Sequence, residues 1–199
     1  MRVAYLNGKG GVGKTSSSLM SAEAAYRAGY SSEVIDADPQ GSASSWAEAA
    51  EAAGTPLHFP VNIANRATLA KTVEKSTVDF LFIDTAPNDP AIIDAAAAAA
   101  DMVVIPTGTT IADMDRAIQT YEAMTTPAAI LLWRVDQRHQ LYKQSREMLT
   151  DADIAVFTTA IPDRQEINRA WHTDLSGVRL HGYEEVITEL SATMRALTS

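Results

Sequence analysis

The chain has 199 residues, of which 46% are hydrophobic, and it contains no cysteine and no run of about 18 apolar residues. These values predict one well-buried domain over residues 1–199 and exclude a membrane span, a disulfide framework, thiolate zinc sites and cysteine-ligated iron–sulfur clusters. The formal net charge of −9 repels nucleic acid and anionic lipid on average, so DNA contact requires a local basic patch.

Strands and helices are predicted to alternate along the chain. Apolar runs of strand length occur at residues 3–7, 33–36, 57–61, 78–84, 102–105, 128–133 and 154–158. Helical patterns occur at residues 14–28, 42–53, 66–75, 90–100, 111–124, 139–150, 163–171 and 183–197. Pro60 weakens the third strand, and Pro106 is expected to end the fifth. This alternation predicts an α/β fold, with a doubly wound, mostly parallel sheet and helices on both faces.

A glycine-rich loop lies between the first predicted strand and the first predicted helix. It reads G-K-G-G-V-G-K-T over residues 8–15 and matches the pattern G-x-x-x-x-G-K-[ST] in the required context. Backbone N–H groups of such a loop surround phosphate oxygens, while Lys14 reaches the β- and γ-phosphates and the Thr15 hydroxyl holds Mg²⁺. The loop predicts nucleoside triphosphate binding by Gly8, Lys9, Gly10, Gly11, Val12, Gly13, Lys14, Thr15 and Ser16.

Two aspartates follow the second predicted strand, in a run that reads D-x-D-P-Q-G-S from Asp36 to Ser42. Ligands of open parallel sheets bind outside the carboxyl ends of the strands, so Asp36 and Asp38 are expected near the phosphates. Phosphoryl transfer to water requires a carboxylate near the Mg²⁺ shell and a group that orients the attacking water. The alternative is that both aspartates cap the helix that begins near Ser42.

Asp84 ends the apolar strand predicted at residues 78–84. An aspartate in this position is typical of the Mg²⁺-linked second motif of phosphate-loop enzymes. The segment that follows, residues 85–88, resembles a switch that senses the γ-phosphate. A helix cap is the alternative role for Asp84, although Pro87 and Asn88 are better placed to begin the next helix.

Together these motifs resemble the ParA/MinD family of ATPases, and the resemblance covers nearly the whole chain. Lys9 corresponds to the extra lysine of that family's phosphate loop, and the run from Asp36 to Ser42 resembles its first switch. The resemblance implies ATP and Mg²⁺ as ligands. It also implies a homodimer that forms on ATP binding, in which Lys9 reaches the phosphates of the partner's nucleotide.

The roles of individual residues follow from this resemblance. Asp38 positions the attacking water, and Lys9 and Lys14 contribute to catalysis through the phosphates. The residues at the metal are Thr15, Asp36 and Asp84. Pro162 lies in the segment that closes over the base. Trp133 departs from the family, which often has Asn or Thr at this position near the base, and it either stacks there or belongs to the core.

The chain most resembles the short ParA-type proteins that segregate plasmids or chromosomes. Members of this group form an ATP-bound dimer on nonspecific DNA, and a ParB-type centromere-binding partner stimulates hydrolysis. No leader of charged and then apolar residues precedes the first strand, which predicts a cytoplasmic protein. With the resemblance, the expected location is cytoplasmic and nucleoid-associated, with no membrane partner.

A local cluster of basic residues is the candidate DNA-binding surface. Residues 130–149 carry a net charge of +2, while the rest of the chain carries −11. The cluster consists of Arg134, Arg138, Lys143 and Arg146. Arg138, Lys143 and Arg146 are expected to form a one-sided stripe on a helix. The alternative is an ordinary solvated amphipathic helix.

Three other functions on the same scaffold remain open. A MinD-like membrane-cycling ATPase requires a basic amphipathic C-terminal helix, whereas residues 183–197 are acidic with one arginine. An ATP-dependent ligase requires a substrate site, which nothing in the sequence marks. A ParA-like protein that positions another cargo, such as a microcompartment or a chemoreceptor array, cannot be distinguished from a partition protein by sequence.

Overall fold

The computed structural model describes residues 1–198. The strands are β1 (Arg2–Tyr5), β2 (Ser32–Ala37), β3 (Val61–Ile63), β4 (Phe80–Thr85), β5 (Met102–Thr107), β6 (Ala128–Val135) and β7 (Ile161–Pro162). The helices are α1 (Lys14–Arg27), α2 (Ser42–Ala52), α3 (Leu69–Lys75), α4 (Pro90–Ala99), α5 (Ile111–Glu122), α6 (Gln140–Asp151), α7 (Gln165–Arg169) and α8 (Tyr183–Thr198). No helix within residues 1–198 is both long enough and apolar enough to cross a membrane.

The seven strands form one sheet in the order β3-β2-β4-β1-β5-β6-β7, and every neighbouring pair is parallel. β1 is central, because Tyr5 pairs with Asp84 of β4 on one side and with Val104 of β5 on the other. β2, β4 and β5 are buried at every residue, as expected of strands covered on both faces. The predicted doubly wound α/β fold is therefore confirmed.

Alternate residues of the strands supply two hydrophobic cores, one on each face of the sheet. On one face Val3 and Phe82 belong to a core completed by residues of α1, α2 and α8, among them Leu19, Trp46 and Val186. On the other face Ala4 and Ile83 belong to a core completed by residues of α3, α4, α5 and α6, among them Leu69, Ile92, Met114 and Leu149. Helices on both faces leave the carboxyl ends of the strands as the open edge.

The last predicted strand, residues 154–158, is wrong. This segment forms only an isolated bridge between Val156 and Ile130, and the last strand is β7. The backbone N–H groups of Thr158 and Thr159 donate to the Glu189 carboxylate of α8 instead of to a neighbouring strand. The apolar pattern of this segment reflects burial of its side chains against the core and not strand pairing.

Pro106 does not end β5, contrary to the prediction. Its carbonyl accepts from the Asn7 side-chain amide at 3.0 Å, on the side of β5 that faces β1. The nitrogen of a strand residue points to the same side as its carbonyl. The β1–β5 ladder ends just before Pro106, with the Leu6 N–H donating to the Val104 carbonyl at 3.0 Å. β5 continues through Thr107 because it remains paired with β6 on its other side.

Candidate nucleotide-binding site

The phosphate-loop sequence folds into a turn between β1 and α1. Gly11 and Gly13 have φ angles of +74° and +91°, which only glycine adopts without strain. Gly13 is also the N-cap residue of α1, and a Cβ there would lie 2.2 Å from the Trp133 ring. Position 13 therefore requires glycine for its backbone angle and for the close approach of Trp133. The turn aims the N–H groups at the start of α1 toward the carboxyl edge of the sheet.

Lys14 is the first residue of α1 and is 94% buried within the loop (6% exposed). Its ammonium donates to the Lys9 carbonyl oxygen at 3.0 Å, so the side chain folds back over its own loop. Burial lowers the pKa of Lys14 below its ordinary value, and the Asp84 and Asp38 carboxylates act in the opposite direction. The ammonium is thus a cation in a partly desolvated cradle, which suits it to bind phosphate oxygens.

Asp84 is the second-last residue of β4, beside the loop, and is fully buried. Neither carboxylate oxygen has a hydrogen-bond partner among the described residues. Burial raises the pKa of Asp84 to about 7, while the Thr15 hydroxyl and the Lys14 ammonium oppose the rise. A buried carboxylate without partners is costly unless a cation or its water shell engages it. The oxygens of Asp84 and Thr15 are of the kind that Mg²⁺ prefers, so these residues fit the predicted metal.

Asp36 lies opposite Asp84 in the pairing of β2 with β4, and it is buried. One of its oxygens accepts from the N–H of Asp38 at 3.1 Å. The other accepts from the N–H and the hydroxyl of Ser44 at 2.8 and 2.7 Å. Asp36 therefore caps α2, whose own N-cap residue, Gly41, has no side chain. The capping alternative describes these contacts, and a role of Asp36 in the Mg²⁺ water shell stays a prediction.

Asp38 faces the same cavity as the loop. One Asp38 oxygen accepts from the N–H of Gln40 at 2.9 Å, which orients the side chain at the start of a turn. The cavity has a volume of about 310 Å³ and is lined by Gly13, Lys14, Thr15 and Ser16 on one wall and by Asp38 and Gln40 on another. Asp38 is thus positioned at the cradle, whereas Asp36 is held behind it.

Lys9 points away from that cradle. Its side chain is 45% exposed, and its ammonium forms an ion pair with Asp113 of α5 at 2.5 Å. Partial burial of Asp113 is outweighed by the Lys9 ammonium and the Thr110 hydroxyl, which hold its pKa below the ordinary value. Asn7 fixes the loop next to Lys9 by accepting from the Lys9 N–H at 2.8 Å. Sequence reasoning missed both Asp113 and Asn7.

The two residues predicted near the base lie on the paired strands β6 and β7 but line different cavities. Trp133 is buried in the core, and its indole N–H donates to the Tyr183 hydroxyl at 2.9 Å, while its ring also lines the loop cavity. Pro162 lines a different cavity, of about 700 Å³, together with Tyr142 and Arg179. The structure therefore does not bring Pro162 into the loop cavity, and its contact with the base stays a prediction.

The four residues of the predicted DNA-binding cluster lie on three segments. Arg134 is at the end of β6, beside the loop, and pairs with Asp163 at 3.1 Å. Arg138 precedes α6 and pairs with Asp136 at 2.7 Å. Lys143 and Arg146 are on α6, where Arg146 donates to the Phe157 carbonyl at 2.9 Å. Arg138 is thus not on the helix, and the predicted stripe is reduced to Lys143 and Arg146.

Comparison with known proteins identifies the family to which the chain is similar. The model of the CobQ/CobB/MinD/ParA nucleotide binding domain family matches residues 3–176. The chain is 39% identical over 142 residues to the maintenance of carboxysome distribution protein A of Gloeobacter kilaueensis. That match covers 68% of this chain and 64% of the relative, so the chain spans less than two thirds of the relative's length.

Solved structures share the fold at low sequence identity. The cell division ATPase MinD of Pyrococcus furiosus has a TM-score of 0.77 at 14% identity, covering 95% of this chain and 98% of that one. A putative plasmid partition protein of Borrelia burgdorferi B31, bound to AMPPNP, has a TM-score of 0.71 at 16% identity, covering 96% of this chain and 98% of that one.

Proposed function

The chain belongs to the CobQ/CobB/MinD/ParA nucleotide-binding family, and we propose that it is a Mg²⁺-dependent ATPase that positions a cargo inside the cell. The observation that carries the proposal is the difference in burial and direction between the side chains of two lysines in one loop. Lys14 is buried in the cradle, whereas the Lys9 side chain is 45% exposed at its outer rim. The first arrangement suits the chain's own nucleotide, and the second suits a nucleotide held by another subunit.

The residues of the cradle support hydrolysis of ATP. The loop N–H groups and Lys14 bind and orient the triphosphate, because they form a preorganised set of donors. Thr15 and Asp84 would hold Mg²⁺, which when bound neutralises charge on the β- and γ-phosphates. The Asp38 carboxylate, aimed by its bond to the Gln40 N–H, orients a water for attack on the γ-phosphorus.

Lys9 must leave Asp113 before it can reach a second subunit. The Lys9–Asp113 pair is partly exposed, with side-chain exposures of 45% and 13%. Such pairs contribute about 1 kcal/mol or less to stability. A charge-assisted contact with a phosphate is worth about 1.5–3 kcal/mol, so exchange of partners is favourable. We therefore assign Lys9 to the interface of a homodimer that forms with ATP and not with ADP.

Replacement of Lys9 by Ala is expected to weaken the ATP-bound dimer about 10²- to 10⁴-fold, because two charge-assisted contacts with phosphate, each worth about 1.5–3 kcal/mol, are lost per dimer. Sedimentation velocity at micromolar protein with Mg²⁺ and ATP should then show mostly monomer. ATP binding by the monomer should persist, since Lys14 is untouched.

The matched control for Lys9→Ala is Asp113→Ala, which breaks the same ion pair and keeps the lysine. Asp113→Ala should dimerise at least as well as the original protein. A full dimer in Lys9→Ala would remove Lys9 from the interface. An equal loss in both variants would attribute the effect to the ion pair within one chain.

Nonspecific DNA is the proposed surface on which the dimer acts. With a net charge of −9, the chain must hold DNA through local basic groups. The Arg138 side chain is 88% exposed despite its pairing with Asp136, and Lys143 is exposed on α6. In a two-fold dimer these residues occur twice. Arg146 and Arg134 are secondary candidates, because both are engaged with groups of their own chain.

The double variant Arg138→Ala/Lys143→Ala should flatten the salt dependence of DNA binding. Each neutralised phosphate contributes a slope of about −0.9 to log affinity against log salt, so loss of up to four contacts changes it by up to about 3–4. DNA affinity of the ATP-bound dimer, measured by fluorescence anisotropy over a salt series, gives the slope.

Lys71→Ala/Lys75→Ala on α3 is the charge-matched control and should leave the slope unchanged. If the double variant keeps the original slope, DNA binds elsewhere on the dimer. If the ATP-bound dimer of the unsubstituted protein does not bind DNA at low salt, the proposal that it acts on DNA is wrong.

Two cargoes are consistent with this proposal. The first is a plasmid or chromosome, joined through a ParB-type centromere-binding protein. The second is a protein-shelled compartment, favoured by the 39% identity to a carboxysome distribution protein. ATP turnover measured with DNA and with each candidate adaptor tests the choice, since only the cognate adaptor should stimulate hydrolysis. Loss of the gene should then disperse or cluster that cargo alone.

A further inference from the structure

The loop cavity contains one large aromatic surface that the proposed chemistry does not use. Trp171 lines this cavity together with Gly13, Lys14 and Ser16, and it is 42% exposed. It follows α7 directly, far along the chain from the loop. The other two tryptophans of the chain, Trp46 and Trp133, are 0% and 6% exposed.

Trp171 is held in place from behind. Its ring lies 4.8 Å from that of Trp46 at an interplanar angle of 55°, and 5.3 Å from that of His172. Trp46 is itself buried, and its indole N–H donates to the Thr173 carbonyl at 2.7 Å. This bond ties α2 to the segment that carries Trp171. The Trp171 ring therefore packs against Trp46, and its exposed surface lines the loop cavity.

The residues that line the cavity are of two chemical kinds. Lys14, Thr15 and Asp38 supply charged and hydroxyl groups that suit phosphates and Mg²⁺. Trp133 and Trp171 supply aromatic surface. Trp133 is 6% exposed and has its ring against Gly13, so it offers little free surface. Trp171 offers most of the aromatic area open to a ligand.

We infer that Trp171 is the stacking surface for the base of the nucleotide whose triphosphate the loop binds. The inference rests on the proposed nucleotide site and adds the residue that holds the base. Base–aromatic stacking uses the π-face that every base possesses. Trp171 therefore provides affinity for a nucleoside triphosphate over a bare triphosphate, and it does not select adenine over guanine.

The test compares Trp171→Ala with the original protein by calorimetric titration of three ligands in Mg²⁺ buffer: ATP, GTP and inorganic tripolyphosphate. Loss of one stacked base lowers affinity about 5- to 150-fold. ATP and GTP binding should weaken by the same factor within this range. Tripolyphosphate binding should not change, because the loop and Lys14 are intact.

Two further variants separate stacking from folding. Trp171→Phe keeps an aromatic face against Trp46 and should retain most of the ATP affinity, whereas Trp171→Leu keeps apolar bulk only and should behave like Trp171→Ala. Tyr26→Ala removes another exposed aromatic ring, 46% exposed at the far end of α1, and should bind all three ligands normally. Far-ultraviolet circular dichroism of each variant establishes that it is folded.

The possible results distinguish failure of the stacking assignment from failure of the proposed function. Unchanged ATP affinity in folded Trp171→Ala or Trp171→Leu overturns the stacking assignment and leaves the proposed function standing. Loss of tripolyphosphate binding along with ATP also overturns it, since Trp171 would then shape the loop. If the original protein binds no nucleotide, the proposed function fails and the assignment fails with it.

Discussion

Replacement of Lys14 by Ala is expected to abolish ATP binding. The ammonium makes charge-assisted contacts with phosphate oxygens, each worth about 1.5–3 kcal/mol, so contacts with the β- and γ-phosphates together account for at least about 3 kcal/mol. Its removal also leaves Asp84 and Asp38 without the cation that offsets their charge in the cradle. Carboxylates without this cation repel the triphosphate. Affinity should fall by at least about 100-fold.

Lys143→Ala is the control for this variant, because it removes one exposed lysine from α6 and leaves the loop intact. Equilibrium titration with a fluorescent ATP analogue in Mg²⁺ buffer measures both variants. Lys143→Ala should match the original protein, and Lys14→Ala should show no saturation at millimolar nucleotide. Unchanged affinity in a folded Lys14→Ala protein would contradict the assignment of the loop as the phosphate site.

Replacement of Asp38 by Ala is expected to separate binding from hydrolysis. The phosphate contacts are made by the loop and Lys14, so ATP binding and dimerisation should persist. The attacking water loses the group that orients it, which lowers turnover about 10²- to 10⁴-fold. The variant should therefore accumulate as an ATP-bound dimer. Release of phosphate, measured with DNA and adaptor present, gives the rate, and sedimentation velocity gives the oligomeric state.

Asp38→Asn distinguishes catalysis from local structure. Its amide oxygen can still accept from the N–H of Gln40, as the carboxylate does at 2.9 Å, so the turn is preserved. If both variants are equally slow, the carboxylate itself is required. Normal turnover in Asp38→Asn with slow turnover in Asp38→Ala would assign the effect to the turn. Normal turnover in both variants would show that another group orients the attacking water.

The grouping of the candidate phosphate-site residues at one edge of the sheet could be predicted from sequence because its determinants are local. The loop requires glycine at positions such as Gly13, and Asp36 and Asp84 each lie one residue before the end of a buried strand. Parallel strands place those ends at one edge of the sheet, and Asp36 and Asp84 are indeed paired across β2 and β4. The fold followed from the same alternation of apolar runs and helical patterns.

The contacts that sequence reasoning missed join distant segments. Lys9 and Asp113 are 104 residues apart, and no pattern links a loop lysine to one of several aspartates on later helices. Trp171 lines the loop cavity, and the segment that carries it is joined to α2 by the bond from the Trp46 indole N–H to the Thr173 carbonyl. The strand prediction for residues 154–158 was wrong for a related reason. The N–H groups of Thr158 and Thr159 donate to the distant Glu189 carboxylate of α8 and not to a neighbouring strand.

The position of β1 has a consequence for synthesis of the chain. β1 is made first, yet its partners are β4 and β5, which end at Thr85 and Thr107. At about 5–20 residues per second, the ribosome needs roughly 5–20 s to supply both. Until β4 is complete, the apolar strand that precedes the phosphate loop has neither neighbour in the sheet, and until β5 is complete it has only one. Nucleotide therefore cannot help the nascent chain to fold until more than half of it has emerged, and early protection of β1 must come from chaperones or transient collapse.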